Sequence, residues 1–307
     1  MRAQTLLELA DLAGYRGLPA PDPVELAAAL QKEAQVSSLV GYLKVFRHSL
    51  AVMQTAAALE RVARDCVEDL ANDGIIYAEV RFAPEAHTAL ALTMDEAIEA
   101  VLAGLGHSDD LGIEVGLICT ALRDRPHSLT AAAAAGRWAG RGVVGFDLAG
   151  PEVGFPPDLH AAAVRHAHDA GLGITIHAGE ATGVETITAA LDLGATRIGH
   201  GVRIIDDLDT TSDPPRPGPV AERLISGGIV LEISPTSNVH TGFVDTFADH
   251  PIETIRRAGV SVTVNTDNRL FSGLTLSSEL ELMSRHHGWR PEQMDASFEA
   301  ARRSAFR

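Results

Sequence analysis

Four residues at or just past the ends of short apolar runs could carry out chemistry in this chain. His177 and Glu180 stand in "GITIHAGE" (residues 173–180), His200 in "RIGHG" and Asp267 in "VTVNTDN". Two imidazoles and a carboxylate are donors suited to zinc. Glu180 lies three residues past His177, beyond the end of its run, and is placed to move a proton rather than to bind metal. A glutamate in a partly dry pocket has a raised pKa, which suits a general acid near neutrality. Each residue also has a blander reading. A lone histidine closing an apolar strand is most often a satisfied core residue, and a lone loop glutamate is most often solvated. What argues for a site is that such residues recur at the ends of successive runs.

Weaker signals lie beside these. "DLAG" puts Asp147 at the end of a run and Gly150 just after it, where a glycine exposes its backbone N–H to a ligand. Ser234 and Asn238 belong to "SPTSN", which reads equally well as a turn with a helix cap. Asn268 follows Asp267, and Glu79 with Arg81 end the run "IIYAEVRFAP". His166 and His168 form an H-x-H pair, but inside a helical stretch, where positions i and i+2 do not share a face. They read as surface residues.

The elements that must position these groups alternate along the chain. Residues 1–72 read as helical; "TAAALERVARDCVEDLAND" places Leu59, Val62, Cys66, Val67 and Leu70 on one face. After that, apolar runs at 75–84, 114–123, 143–152, 173–180, 197–201, 229–238 and 262–268 are separated by helical segments. Strand–helix repetition of this kind predicts a parallel sheet. Polar residues gathered at the carboxyl ends of several strands fit a (β/α)₈ barrel, whose active site lies on that edge, better than an open doubly wound sheet. Seven strands are expected where a closed barrel needs eight, and the missing one should precede residues 1–72. Residues 206–223 read as a polar, Pro-rich loop at the rim. No domain boundary is visible, so residues 1–307 are expected to form one domain.

Composition narrows the function. A formal net charge of −16, without a basic stripe, argues against nucleic acid and anionic membranes as partners. Cys66 and Cys119 lack C-x-x-C partners, which points to a reducing compartment. The amino-terminal residues lack the apolar core of a signal peptide, and no run approaches a membrane span. The expectation is a cytoplasmic protein acting on a small molecule.

"HAGE", "GHG", "SPTSN" and "VNTDN", in this order on successive strands, together with "FDLAGPE" and "AVMQTAAALERVARDCVEDLANDGIIYAEVRFAP", resemble the adenosine deaminase family of metal-dependent aminohydrolases. The resemblance covers nearly the whole chain. It implies a (β/α)₈ TIM barrel that converts adenosine or 2′-deoxyadenosine to the inosine product and ammonia with zinc-activated water. It further implies that His177 and Asp267 bind zinc, that Glu180 protonates purine N1, and that His200 orients the water and accepts its proton. Gly150 would offer its N–H to N3. Asn268 stands where many members carry an aspartate that contacts N7, and its amide can still donate there.

One departure is large. Members of the family begin with a strand ending in an H-x-H-x-D-like motif, whose histidines bind zinc and whose acid contacts the ribose; these 307 residues contain none. A trimmed or misassigned start, a shortened product with an open barrel and little activity, and a chain repurposed to bind nucleosides or a partner would each account for it. The expectations are weakened zinc binding, and either a monomer or self-association through open strand edges. The competing function is a non-catalytic nucleoside-binding remnant, and adenine or another adenine-containing compound stays open as substrate.

Overall fold

A computed structural model describes residues 1–307. Seven parallel strands form one curled sheet: β1 (Tyr77–Phe82), β2 (Glu114–Leu122), β3 (Val143–Ala149), β4 (Gly173–Ala178), β5 (Arg197–His200), β8 (Val230–Ile233) and β9 (Ser261–Val264). Their order is β1-β2-β3-β4-β5-β8-β9. A short antiparallel ribbon, β6 (Leu208–Asp209) and β7 (Arg216–Pro217), lies between β5 and β8 in sequence. The expected seven-stranded, barrel-type sheet is present. β1 and β9 each pair on one side only. The helical layer nevertheless joins across that opening: Asp73, capping the helix Ala56–Asn72, accepts the Leu276 N–H at 2.8 Å.

Apolar runs become strands here because side chains alternate between two different surroundings. In β4, Ile174, Ile176 and Ala178 pack in the main core with the flanking helices, whereas Thr175 turns inward and bonds Glu232 at 3.0 Å. In β2, Leu117, Cys119 and Ala121 join that core, while Thr120 faces in and bonds Asp147 at 3.1 Å. The interior of the curl is therefore largely polar. The expected apolar face of the helix Ala56–Asn72 is present, with Leu59 and Val67 fully buried, but Asp65 is buried too. It bonds the Thr5 hydroxyl and Arg61, tying this helix to the first one, Ala3–Ala13.

Three boundaries differ from the sequence reading. The run at 229–238 stops at Ile233, because Pro235 opens a helix, Pro235–His240. The "loop" at 206–223 contains the β6–β7 ribbon, and its last residues begin the helix Pro219–Gly227. Glu79 does not end a strand at the rim. It lies in the middle of β1 and pairs with Arg197, the first residue of β5, at the opposite end of the sheet. His166 and His168 are exposed on the helix Ala161–Asp169, as expected.

That opposite end is sealed by Phe306. Its ring lies 3.5 Å below the Arg197 guanidinium, and its backbone N–H donates to Glu79 at 2.7 Å. Gly145 and Gly173 make room for it; a Cβ on Gly173 would sit 2.1 Å from the ring. Phe306→Ala should therefore destabilise the fold by about 3–5 kcal/mol in chemical denaturation, the usual cost of emptying a buried aromatic site. β1 and β9 each lack a strand partner on one side, the kind of edge at which chains can pair. Light scattering should show a mass that rises with concentration; a constant monomer mass would contradict this.

Candidate active site

His177 comes off the end of β4 and is set by its neighbours. Its Nδ1 lies 2.9 Å from Asp147 Oδ1, at the end of β3, so the imidazole donates there and leaves Nε2 free. Asp147 is fully buried. Burial alone would raise its pKa, but His177 and the Arg81 guanidinium pull it well below the carboxylate range. The His177 pKa is raised: burial works against this, and Asp147 outweighs burial. The next strand must leave space. Gly199 of β5 is paired with His177, and a Cβ there would come 2.9 Å from its ring.

His200, at the end of β5, stacks obliquely on His177 with ring centroids 5.2 Å apart. His200 and Asp267 adopt left-handed backbone conformations, with φ of 59° and 49°. Non-glycine residues seldom do so, and such strain gathers at functional sites. Asp267 is held by the Ser237 hydroxyl at 2.7 Å. The helix carrying Ser237 is held in turn by buried Glu279, which accepts the Thr236 N–H at 2.8 Å and its hydroxyl at 2.6 Å. Glu180 is buried, with a carboxyl oxygen 3.8 Å from His200 Nε2. Burial raises its pKa, against the opposing pull of His200 and His177.

Gly150 has φ 106°, a conformation that favours glycine, in the loop after β3. Asn268 caps the short helix Arg269–Ser272 through Oδ1, 3.3 Å from the Phe271 N–H, which leaves its Nδ2 hydrogens for a ligand. Of the sequence candidates, His177, Asp147, His200 and Glu180 are directly connected. Asp267 belongs to the same rim through Ser237 of the helix that follows β8. Ser234 starts that helix without a side-chain cap bond. Asn238 is fully buried and bonds His200.

Sequence reasoning missed two residues that shape the site. Glu152 is buried and accepts the N–H groups of Ala181 and Thr182 at 2.7 Å each, the Thr182 hydroxyl at 2.8 Å and the Glu180 N–H at 3.4 Å. It thereby fixes the turn that carries Glu180. Its only trace in sequence was its place in "FDLAGPE". Arg123, also buried, joins the ends of β3 and β4 through the carbonyls of Leu148 and His177. An arginine closing an apolar strand reads as an exposed charge, so nothing in the sequence flagged it.

The donors suggest a metal, but they are too few. No three His, Cys, Asp or Glu side chains converge closely enough to hold an ion. A catalytic zinc takes three protein ligands and a water, and His177 with Asp267 supplies at most two. The cation already among these carboxylates is Arg81, 3.4 Å from Asp147, 2.7 Å from Glu232 and 3.5 Å from His177 Nδ1. The 307 residues as they stand do not complete a zinc site.

The chain as a whole is similar to known proteins. A family profile described as adenosine deaminase matches residues 1–307. Adenosine deaminase from Mycobacterium avium (strain 104) is 44% identical, over 100% of this chain and 87% of that protein. Among solved structures, adenine deaminase from Arthrobacter aurescens superposes with a TM-score of 0.86 at 27% identity, covering 100% of this chain and 90% of that one. An amidohydrolase from Burkhoderia ambifaria, solved with bound zinc, gives 0.84 at 25% identity, covering 100% and 82%. With a profile and a 44% identical relative both spanning its whole length, the chain belongs to the adenosine deaminase family of aminohydrolases.

Proposed function

We propose that this deaminase acts on adenosine or 2′-deoxyadenosine, adding water at C6 and releasing ammonia. The observation that carries the reading is Glu180: buried, with its pKa raised, beside two histidines, on a turn clamped by Glu152. Burial makes such a carboxyl hold its proton to higher pH than a solvated one, and it can give that proton to an acceptor in the pocket. In the proposed reaction Glu180 protonates purine N1, which draws electron density from C6. Water adds there and returns one proton to the Glu180 carboxylate, and the tetrahedral adduct collapses as the C6–N bond breaks. The leaving nitrogen departs as ammonia with a proton that the water brought. The Gly150 N–H supports N3 and the Asn268 Nδ2 supports N7, so three contacts fix the plane of the base.

A second reading keeps the chemistry and changes the substrate. The similarity to an adenine deaminase favours adenine or another adenine-bearing compound, since each proposed contact is to the base and none to the sugar. Comparing turnover of adenine, adenosine and 2′-deoxyadenosine separates the two.

Two outcomes test the proposal. Glu180→Gln keeps the shape of the side chain but removes the proton. It should lower kcat by about 10²–10⁴-fold, the usual worth of a positioned acid, while adenosine binding persists in calorimetry. An unchanged kcat would sink the assignment. Zinc is the cofactor proposed for this chain, and with two donors its hold should be weak. After dialysis, elemental analysis should find well under one zinc per chain, with turnover far below that of relatives carrying a full donor set. Stoichiometric zinc with fast turnover would show that other residues complete the site.

A further inference from the structure

We infer that His200 acts in the pocket as a hydrogen-bond donor through Nε2–H, in a tautomer imposed by a buried relay that begins at a backbone amide. The polarity of this relay is fixed one bond at a time. The Ile252 N–H can only donate, and it lies 3.2 Å from His250 Nδ1. That nitrogen must therefore present its lone pair. His250 is buried, and burial first, with the charges of His287 and His200 adding to it, pushes its pKa down to about 3. It is neutral, so its one ring hydrogen sits on Nε2.

His250 Nε2 lies 3.2 Å from the Asn238 side chain, so the amide end facing it must be the oxygen. The other end, an NH₂ that can only donate, then faces His200 Nδ1 at 3.1 Å. His200 Nδ1 accepts, and the hydrogen of the neutral imidazole is left on Nε2. Turning the amide over would set its NH₂ against the His250 N–H, donor to donor. Asn238 is fully buried and both histidines are nearly so, which leaves the relay to satisfy itself. This assignment comes from the chain of partners and not from which end of the amide is named nitrogen.

The consequence for the site rests on the deaminase reading above. His200 Nε2 is 3.8 Å from the Glu180 carboxyl, too far for a direct hydrogen bond, so its N–H remains available to a bound molecule. The family resemblance casts His200 as the group that takes a proton from water. With Nε2 already carrying a hydrogen and Nδ1 engaged by Asn238, His200 instead donates to an acceptor. The acceptor class is an oxygen at C6, such as the one that replaces the amine. The relay thus favours the oxygenated adduct over the amino substrate.

The test is a long-range ¹⁵N–¹H correlation spectrum of the 307-residue chain labelled with ¹⁵N-histidine, with signals assigned by comparison with His200→Gln and His250→Gln. Both residues should show the Nε2–H tautomer. In Asn238→Asp a carboxylate replaces the amide and accepts from both sides, so His200 should switch to Nδ1–H while His250 stays unchanged. A wild-type His200 carrying its hydrogen on Nδ1 overturns the inference, and that readout does not depend on Asn238→Asp folding. A folded Asn238→Asp in which His200 keeps the Nε2–H tautomer also overturns it. Adenosine turnover in the same preparation is a separate readout. Its absence even with zinc added in excess overturns the deaminase reading and leaves the relay standing, whereas a wrong tautomer with turnover detected overturns the relay alone.

Discussion

A ladder of ionised groups runs through the inside of the curled sheet, and the site stands at its upper end. It begins at Glu79, passes through Arg197 to Glu232, then through Arg81 to Asp147, and ends on His177. Neighbouring members alternate in charge up to Asp147, and the Thr175 and Thr120 hydroxyls occupy positions left over on the carboxylates. Buried charges are tolerated only when paired and hydrogen-bonded. Each residue of the ladder therefore depends on the next, from the Phe306 seal at one end of the sheet to the imidazole at the other. His177 is oriented by this interior, not by its own strand alone.

The ladder also explains why the active edge can be polar without the sheet coming apart. Outward-facing alternates such as Ile174, Ile176, Phe146 and Leu148 bury against the helices and supply the hydrophobic stabilisation. Inward-facing alternates are left to carry charge. Loops then add what strands cannot. Glu152 brings the β3 loop to the β4 loop, and Asn238 brings the helix after β8 to the end of β5. Side chains from strands far apart in sequence thus meet on one rim.

Much of this was legible in the sequence because strand ends announce themselves. "HAGE", "GHG" and "VNTDN" each show a run stopping at a side chain of the candidate site, and the small residues beside them have physical reasons: Gly199 clears His177, and Gly179 takes φ 65°. The strand–helix alternation gave the fold class and the number of strands for the same reason. What stayed hidden was which way each side chain turns. Glu79 and Arg81 looked like a rim pair, but period-two alternation sends both inward, and Glu79 meets Arg197 at the far end. Glu152, Arg123 and His250 act through partners 28 to 54 positions distant or through a second residue. Spacing within one motif does not encode such contacts. The "SPTSN" helix was open between strand end and turn because only Pro235 marks the change.

We propose that one pocket on the carboxyl edge of the sheet seats a purine against Glu180. The decisive measurement is a crystal structure of this chain with inosine. The base should lie on that rim, with N1 within hydrogen-bond distance of the Glu180 carboxyl, N3 on the Gly150 N–H and N7 on the Asn268 amide. A nucleoside bound away from β4 and β5, or seated there with Glu180 turned from the base, would contradict it.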